Sequence, residues 1–314
     1  MTFAGRVFKK LFGDFRLRYI PPLAVYFAFG AGAFSSVAYT FWEKKESGLS
    51  QPDLINIGFW AGLPWMVKMV SGHMVDSVRI FGSRRKIYIL LGAGFVALGQ
   101  GIMIDLVRGS ASFVLQYGSI GKWYLLSAVI TAFGFMLQDV VADAMTKDVV
   151  HEIDPATNRK RNEKDINAEL GYVQWLGRTV MMFSIATLVA VGGWLTPTLG
   201  FRTVFTVQLI ICSIPVVIAL FFPVKTPPRS EINWWVLGVG ILFGAFVIGF
   251  GSVKIPYSQE IVFVVSLAVI SFLISRLGIT RQVVCAAIVI FLFRAVPGAG
   301  PGVSWWMIDA FKFD

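Results

Sequence analysis

Charged residues are scarce in this chain of 314 residues, since only 15% are Asp, Glu, Lys or Arg. Soluble domains carry about 25%, and here hydrophobic residues reach 56%, with a mean hydropathy of +0.71. An ordinary soluble protein is therefore excluded. The net charge of +10 does not indicate nucleic-acid binding, because the basic residues lie in loops between apolar runs, where membrane topology accounts for them.

Cysteine and histidine are also scarce, with two of each. Cys212 and Cys285 fall inside apolar runs, so they predict small core residues and neither a disulfide framework nor a zinc site. His73 and His151 lie in or beside loops, and the sequence contains no HExxH, GxSxG or Walker A motif. We therefore predict no enzymatic activity, no metal and no cofactor.

What the sequence has instead is long hydrophobic runs, each near the roughly 20 residues that span a bilayer as a helix. They predict an all-α, polytopic integral membrane protein whose first partner is the lipid bilayer. The proposed spans are 20–42, 54–75, 87–107, 123–146, 168–194, 202–223, 232–253, 259–277 and 281–303.

The distribution of Lys and Arg predicts the orientation. Residues 1–18 form a basic amphipathic segment suited to the membrane interface. The loops on the same side of the predicted spans carry most of the other basic residues, and such loops face the cytoplasm. The N-terminus and the loops at 76–86 and 147–167 are therefore expected to be cytoplasmic. The second loop is either solvated or an ordered segment.

The loop between spans 2 and 3 carries a recognisable motif. A glycine and an acid, Gly72 and Asp76, precede a second glycine, Gly82, and the basic residues Arg84 and Arg85. This pattern resembles the signature loop of the major facilitator superfamily. The segments GLPWMVK at 62–68, VRIFGSRRK at 78–86 and QDVVADAM at 138–145 are similar to the folate-biopterin transporter branch. The alternative is a polytopic protein whose basic loop only obeys the topology rule.

The resemblance implies a major-facilitator-type six-helix bundle and a small organic anion of the folate or pterin class as substrate. It also implies that the signature loop takes part in conformational gating. Asp143 lies near the predicted cytoplasmic surface, and we expect it to pair with Arg84 or Arg85 and so hold spans 2, 3 and 4 together. A solvated surface acid is the alternative.

Three charges inside the spans are the strongest chemical signal, because an ionisable side chain in hydrocarbon needs a partner or an aqueous cavity. Lys68, Asp139 and Arg178 each lie roughly 12–15 Å from the cytoplasmic ends of their helices. Asp139 neutralises one cation, so one positive charge is left over for an anionic substrate. Gln138 and Gln174, with Tyr172 and Trp175, are further candidates for substrate contacts. The alternative is a structural ion pair with a snorkelling cation.

The predicted domains are an interfacial segment (1–18), a six-helix bundle (20–223), a linker (224–231), an extra hairpin (232–277) and the first helix of an incomplete second bundle (281–314). The last segment resembles the helix that opens the second half of folate-biopterin transporters. We therefore expect a truncated chain whose partners are the missing helices or another membrane subunit. A true nine-helix protein is the alternative.

Arg294 is the one charge inside the last predicted span, and Pro297, Gly298, Gly300, Pro301 and Gly302 follow it. Proline and glycine weaken a helix, so this part of the span should be bent or unwound. By analogy with the first span, Arg294 would add positive charge to the same central cavity. Alternatively, it snorkels or caps the broken helix.

Together these features predict a secondary-transporter-like protein working by alternating access, incomplete as a single chain. The alternative function is a non-transporting membrane scaffold or assembly subunit, like the pigment-delivery relatives of the superfamily.

Overall fold

In a computed structural model the described residues are 15–83, 85–154, 158–221, 234–252, 257–276, 280–294 and 300–312. They are almost entirely helical, which confirms the all-α class. The chain divides into two compact units, Met1–Asn233 and Trp234–Asp314. Predictions that fall on residues 1–14, on Arg84 or on the linker at 224–231 lie outside the described residues.

The first unit contains eight α-helices among its described residues. They are α1 (Ile20–Ala31), α2 (Ser36–Lys45), α3 (Gln51–Met66), α4 (Lys68–Ser77), α5 (Lys86–Leu106), α6 (Ile120–Asp148), α7 (Glu163–Ile211) and α8 (Ile214–Phe221). The second unit contains α9 (Trp234–Ser252), α10 (Ser258–Arg276), α11 (Arg281–Arg294) and α12 (Pro301–Phe311).

Within the described part of the chain, four helical stretches are long and apolar enough to cross a membrane: Leu17–Lys45, Lys86–Leu106, Ile120–Asp148 and Glu163–Phe221. The last stretch has 59 residues, far more than the roughly 20 that one crossing needs. It contains both the fifth and the sixth predicted spans. Gly200 separates them, with a positive φ of 72° that breaks the helical path and that a glycine adopts without steric cost.

The second predicted span is two helices rather than one, and the break places Lys68. Pro64 lies inside α3, where a proline removes a backbone donor and clashes with the preceding turn. Val67 leaves the helical conformation, with φ −98° and ψ 12°, and α4 begins at Lys68. The amino end of a helix disfavours a positive charge, so Lys68 needs acidic partners there.

The core of the first unit forms where α6 packs against α1, α4 and α5. Glycines set the distance between α5 and α6, because a Cβ on Gly99 would lie 2.2 Å from Thr131 Oγ1 and one on Gly134 would lie 2.6 Å from the Gly92 carbonyl oxygen. Gly92 and Gly99 therefore allow the two helices to pack closely. A Cβ on Gly94 meets nothing within 4 Å.

The first membrane stretch is interrupted near its middle. Residues Gly32–Ser35 form a 3-10 turn between α1 and α2. Gln208 of α7 braces this turn, since its Nε2 donates to the Gly32 carbonyl oxygen at 2.9 Å and its Oε1 accepts from Ser35. A buried amide thereby satisfies backbone that a continuous helix would pair internally.

Candidate functional site

A cluster of charged side chains joins three helices of the first unit. Lys68 Nζ, from the first residue of α4, donates to Asp139 Oδ2 and, at 3.0 Å, to Asp143 Oδ2. The two acids lie one turn apart on α6. Arg178 of α7 approaches both of them, with Nη2 at 3.4 Å from Asp143 Oδ1 and Nη1 at 3.8 Å from Asp139 Oδ1. The structure thus brings the three span charges together.

A fourth helix joins through a tyrosine. Tyr26 of α1 donates its hydroxyl to Asp143 Oδ1 at 2.5 Å. The guanidinium carbon of Arg178 lies 5.5 Å from the centroid of the Tyr26 ring, within the range of a cation–π interaction. We call Tyr26, Lys68, Asp139, Asp143 and Arg178 the central cluster. It connects α1, α4, α6 and α7 at one level of the bundle.

The prediction that one positive charge is left over is wrong, because the Asp143 side chain also contacts Lys68 and Arg178. Two acids then face two cations, and the formal charges balance. The four charged side chains differ, however, in their exposure and in the length of their ionic contacts. Asp139 is only 4% exposed, whereas Arg178 is 51% exposed and makes the two longest ionic contacts. Arg178 is therefore the member whose charge is most available to another group.

An aromatic layer lies one helical turn from the central cluster. It consists of Phe29, Trp65 and Phe135, which precede or follow Tyr26, Lys68 and Asp139 by three or four residues. The Phe29 ring centroid is 5.8 Å from that of Trp65 and 5.9 Å from that of Phe135, both edge-to-face.

The three aromatic residues lie on one side of the charges, because α1 runs antiparallel to α6. Tyr26 contacts Asp143, and Phe29, further along α1, contacts Phe135, earlier on α6. The sequence pattern did not predict this layer. The signal in the sequence is an aromatic residue one helical turn from Lys68, from Asp139 and from Tyr26.

Gln138 lies away from the central cluster, whereas Gln174 lies one helical turn before Arg178 on α7. Gln138 is fully buried, and its Cγ would lie 2.9 Å from a Cβ on Gly92, so it faces α5. It follows that Gln138 and Asp139, which are adjacent on α6, point in different directions. Gln174 is exposed on α7. Tyr172 and Trp175 stack on each other at 6.4 Å, and Tyr172 packs on Tyr19.

Arg85 is the central residue of the hydrogen bonds made by the signature loop. This residue is 3% exposed and is the N-cap of α5. Its Nη1 donates to Asp76 Oδ1 at 2.8 Å and to the Val75 carbonyl oxygen at 3.1 Å, while Nε donates to Asp148 Oδ2 at 2.7 Å. One arginine thereby ties the end of α4, the start of α5 and the end of α6.

The expected pair between Asp143 and Arg85 is wrong. Arg85 bonds Asp148 instead, five residues further along α6. Because Asp143 lies slightly more than halfway from Asp148 to Asp139 along the helix, at a constant rise per residue, it reaches Lys68 and Arg178 rather than the helix end. Arg84 lies outside the described residues.

The two glycines of the motif have different roles. Gly82 has a φ of 77° and follows Phe81, whose φ is 48°. Ile80 and Ser83 exchange two backbone hydrogen bonds of 3.1 Å across this pair. Two consecutive positive φ values define a tight turn of the kind that favours glycine. Gly72, in contrast, is not required for close packing, because its Cβ would lie an ordinary 3.9 Å from Val140 Cγ1.

The sequence of the first unit matches a known family. The model of the BT1 family aligns with residues 30–233, well over half of the chain. The chain belongs to the BT1 family. The matched region contains all four charges of the central cluster and the whole Arg85 network, whereas Tyr26 and Phe29 lie just before it.

One relative of this BT1-family chain is the protein named folate-biopterin transporter from Synechocystis sp. (strain ATCC 27184 / PCC 6803 / Kazusa). It is 27% identical over 190 residues, which are 60% of this chain and 33% of the relative. The chain therefore spans about a third of the length of the curated relative it matches. No solved structure matches the chain.

A second ionic cluster surrounds Glu169 near the start of α7, and sequence reasoning missed it. Its carboxylate accepts from Tyr19 at 2.6 Å, from Arg161 at 2.6 Å and from Arg18, and it lies 3.5 Å from Arg16. Hydrogen bonding to Glu169 raises the pKa of Arg161. We call these five residues the Glu169 cluster. Its signal in the sequence is Glu169 itself, an acid near the start of the fifth predicted span.

Arg294 is the last residue of α11, and its side chain lies outside the described residues, so its expected place in a central cavity stays a prediction. Gly300 is extended, with ψ 178°, and α12 begins at Pro301. The predicted span 281–303 is therefore broken, as its prolines and glycines suggest. Cys212 is buried as expected, but Cys285 on α11 is exposed.

Proposed function

We propose that this BT1-family chain forms part of a secondary transporter that moves a small organic anion with a planar heteroaromatic ring, of the folate or pterin class. The observation that carries the proposal is the central cluster lying next to an aromatic layer. The name of the Synechocystis relative supports the same substrate class. Nothing in the family match or in that name supports the alternative, a membrane scaffold.

Arg178 is the proposed anion ligand. Charge-assisted hydrogen bonds between guanidinium and carboxylate are normally about 2.7–2.9 Å long, whereas its contacts with Asp143 and Asp139 are 3.4 and 3.8 Å. A substrate carboxylate can therefore replace contacts that are already weak. Lys68 stays hydrogen-bonded to both Asp139 and Asp143 while Arg178 changes partner.

Trp65 is the proposed stacking residue. It is 37% exposed, so part of its ring is available, and its edge-to-face contact with Phe29 fixes its orientation. Aromatic rings attract one another beyond the area they bury. A ring bound against Trp65 would lie one turn from Lys68 of the central cluster, which suits a ligand whose carboxylate is attached to a planar ring system.

The Arg85 network is the proposed gate. It ties three helices at one end of the bundle, which the charge distribution predicts to be cytoplasmic. Opening this end requires Arg85 to leave Asp76 or Asp148. Alternating access needs two bundles that rock around a central site, so the chain would work with further helices, on its own polypeptide or another subunit.

Equilibrium binding of tritiated folic acid to the purified protein in lipid nanodiscs tests the proposal. Arg178→Ala should weaken binding about tenfold or more, because a hydrogen bond to a charged group contributes about 1.5–3 kcal/mol. Arg202→Ala is the matched control, since Arg202 is an exposed arginine on the same helix. Unchanged affinity in Arg178→Ala would refute the assignment.

Trp65→Ala separates the two parts of the site. It should weaken the binding of folic acid and of pterin-6-carboxylate to the same extent. It should not change the binding of a carboxylate without a fused ring, such as glutamate. Equal loss for glutamate would mean that the substitution disturbs the fold rather than a stacking surface.

The orientation is tested by labelling with a membrane-impermeant thiol reagent. Arg79 and Glu46 are exposed at opposite ends of the bundle. In a Cys285→Ala background, Arg79→Cys should react only from the cytoplasmic side and Glu46→Cys only from the other side. The reverse pattern would invert the topology.

A further inference from the structure

The Glu169 cluster holds more positive charge than its acid neutralises. Three arginines, Arg16, Arg18 and Arg161, share one carboxylate. Each guanidinium carries five N–H donors, whereas a carboxylate offers about four acceptor sites. Tyr19 takes one of those sites, and Arg18 Nε is buried without a hydrogen-bond partner among the described residues. Donors therefore exceed acceptors, and the five residues of the cluster carry a formal excess of two positive charges. Asp154 and Asp165 also act on Arg161, so the excess is concentrated on Arg16 and Arg18.

The excess charge lies where a membrane helix begins. The apolar stretch Leu17–Lys45 starts between Arg16 and Arg18. Leu17 is 77% exposed and Phe15 is 39% exposed, so apolar and cationic side chains alternate along 15–18. Arg16 is the arginine most open to a ligand, because its side chain is 54% exposed and its contact with Glu169 is the longest of the three.

We propose that the Glu169 cluster binds the phosphate of an anionic membrane phospholipid, with Arg16 and Arg18 contacting the phosphate and with Phe15 and Leu17 contacting the acyl chains. The charge complements a phosphodiester, and the adjacent exposed apolar residues complement the lipid tail. A free phosphate ion would use the arginines but not the apolar residues. This site is separate from the central cluster and does not depend on transport.

Glu169 orients two of the arginines before a ligand binds. Glu169 is 8% exposed and fixes Arg18 and Arg161 from the α7 side. Arg161 is also fixed by its donation to the His151 carbonyl oxygen at 3.0 Å. Arg18 and Arg161 are therefore held in place before a ligand arrives, which lowers the entropy lost on binding.

Native mass spectrometry of the 314-residue protein in a neutral detergent tests the proposal, with phosphatidylglycerol and phosphatidylcholine titrated separately. Phosphatidylglycerol should bind more tightly. Arg16→Ala should weaken its apparent affinity about fivefold, since one basic residue near an anionic surface contributes about that factor, and should leave phosphatidylcholine unaffected. Lys164→Ala is the control, because it removes the same charge from an exposed position on α7.

Three outcomes would overturn the proposal. The first is equal affinity for the two lipids. The second is a loss in Lys164→Ala as large as that in Arg16→Ala, which would indicate unspecific attraction. The third is that inorganic phosphate displaces phosphatidylglycerol at equal concentration, which would assign the site to a free anion. Circular dichroism of Arg16→Ala, expected to match the wild type, shows that a loss of lipid does not reflect unfolding.

Discussion

The two ionic clusters of the first unit differ in how their charges balance. In the central cluster two acids face two cations, and Asp139 is almost completely buried. In the Glu169 cluster one acid faces three arginines, and Arg16 is more than half exposed. An uncompensated charge is costly within the hydrocarbon, whereas at a helix end it can reach water or a lipid headgroup. Depth in the membrane therefore determines how much imbalance each cluster can carry.

The largest expected difference between the clusters is the loss of stability when their acid is replaced by its amide. Asp139→Asn should lower the free energy of unfolding by about 3 kcal/mol, because it leaves a net positive charge among buried groups. Glu169→Gln should cost about 1 kcal/mol, because its arginines can turn outward. Thermal unfolding in detergent measures both.

Asp165→Asn is the control for this pair, since Asp165 is exposed on the first turn of α7, and it should change stability by less than about 0.5 kcal/mol. If Glu169→Gln proved as damaging as Asp139→Asn, depth would not be what separates the two clusters.

The second prediction sharpens the comparison within the central cluster. Lys68→Met should lower the free energy of unfolding by about 2 kcal/mol, because it removes hydrogen bonds to both acids. Arg178→Met should cost less than about 1 kcal/mol, because a half-exposed side chain with long ionic contacts contributes little. Chemical denaturation of both variants in the same detergent would show the order, and a larger loss for Arg178→Met would contradict its role as the exchangeable cation.

The smallest effect concerns salt. Raising the ionic strength screens exposed charges over about 10 Å at 0.1 M but screens buried pairs much less. The stability cost of Glu169→Gln should therefore change by a few tenths of a kcal/mol between low and high salt, while that of Asp139→Asn stays constant. The same unfolding measurements at two salt concentrations provide the check, and an equal salt response would mean that both clusters are equally open to solvent.

Depth was predictable because an α-helix rises by a fixed amount per residue. Lys68, Asp139 and Arg178 could be assigned to one level from their positions in the sequence alone, and the structure places them in contact. Direction around the helix axis was harder. Asp143 was expected at the surface because it is one turn nearer the end of α6, yet Lys68 and Arg178 are long enough to reach it.

The aromatic layer shows a different limit. Phe29, Trp65 and Phe135 look like ordinary apolar positions in three separate spans, and their proximity depends on which helices are neighbours. Trp65 also owes its place to the break at Val67, which ends α3 and begins α4. Pro64 signals such a break, but a proline does not specify the direction of the helix that follows.

The sequence by itself determined that this protein is an all-α membrane protein, that its charges lie at particular depths, and that its signature loop resembles that of a transporter family. Hydrophobic run length, helix rise and motif spacing are local properties, so they need no tertiary information. The tertiary structure alone decided which acid meets which cation, that Arg85 bonds Asp148 rather than Asp143, and that Glu169 gathers three arginines. Such pairings depend on how each helix is rotated and packed, and contacts between residues far apart in the chain determine both.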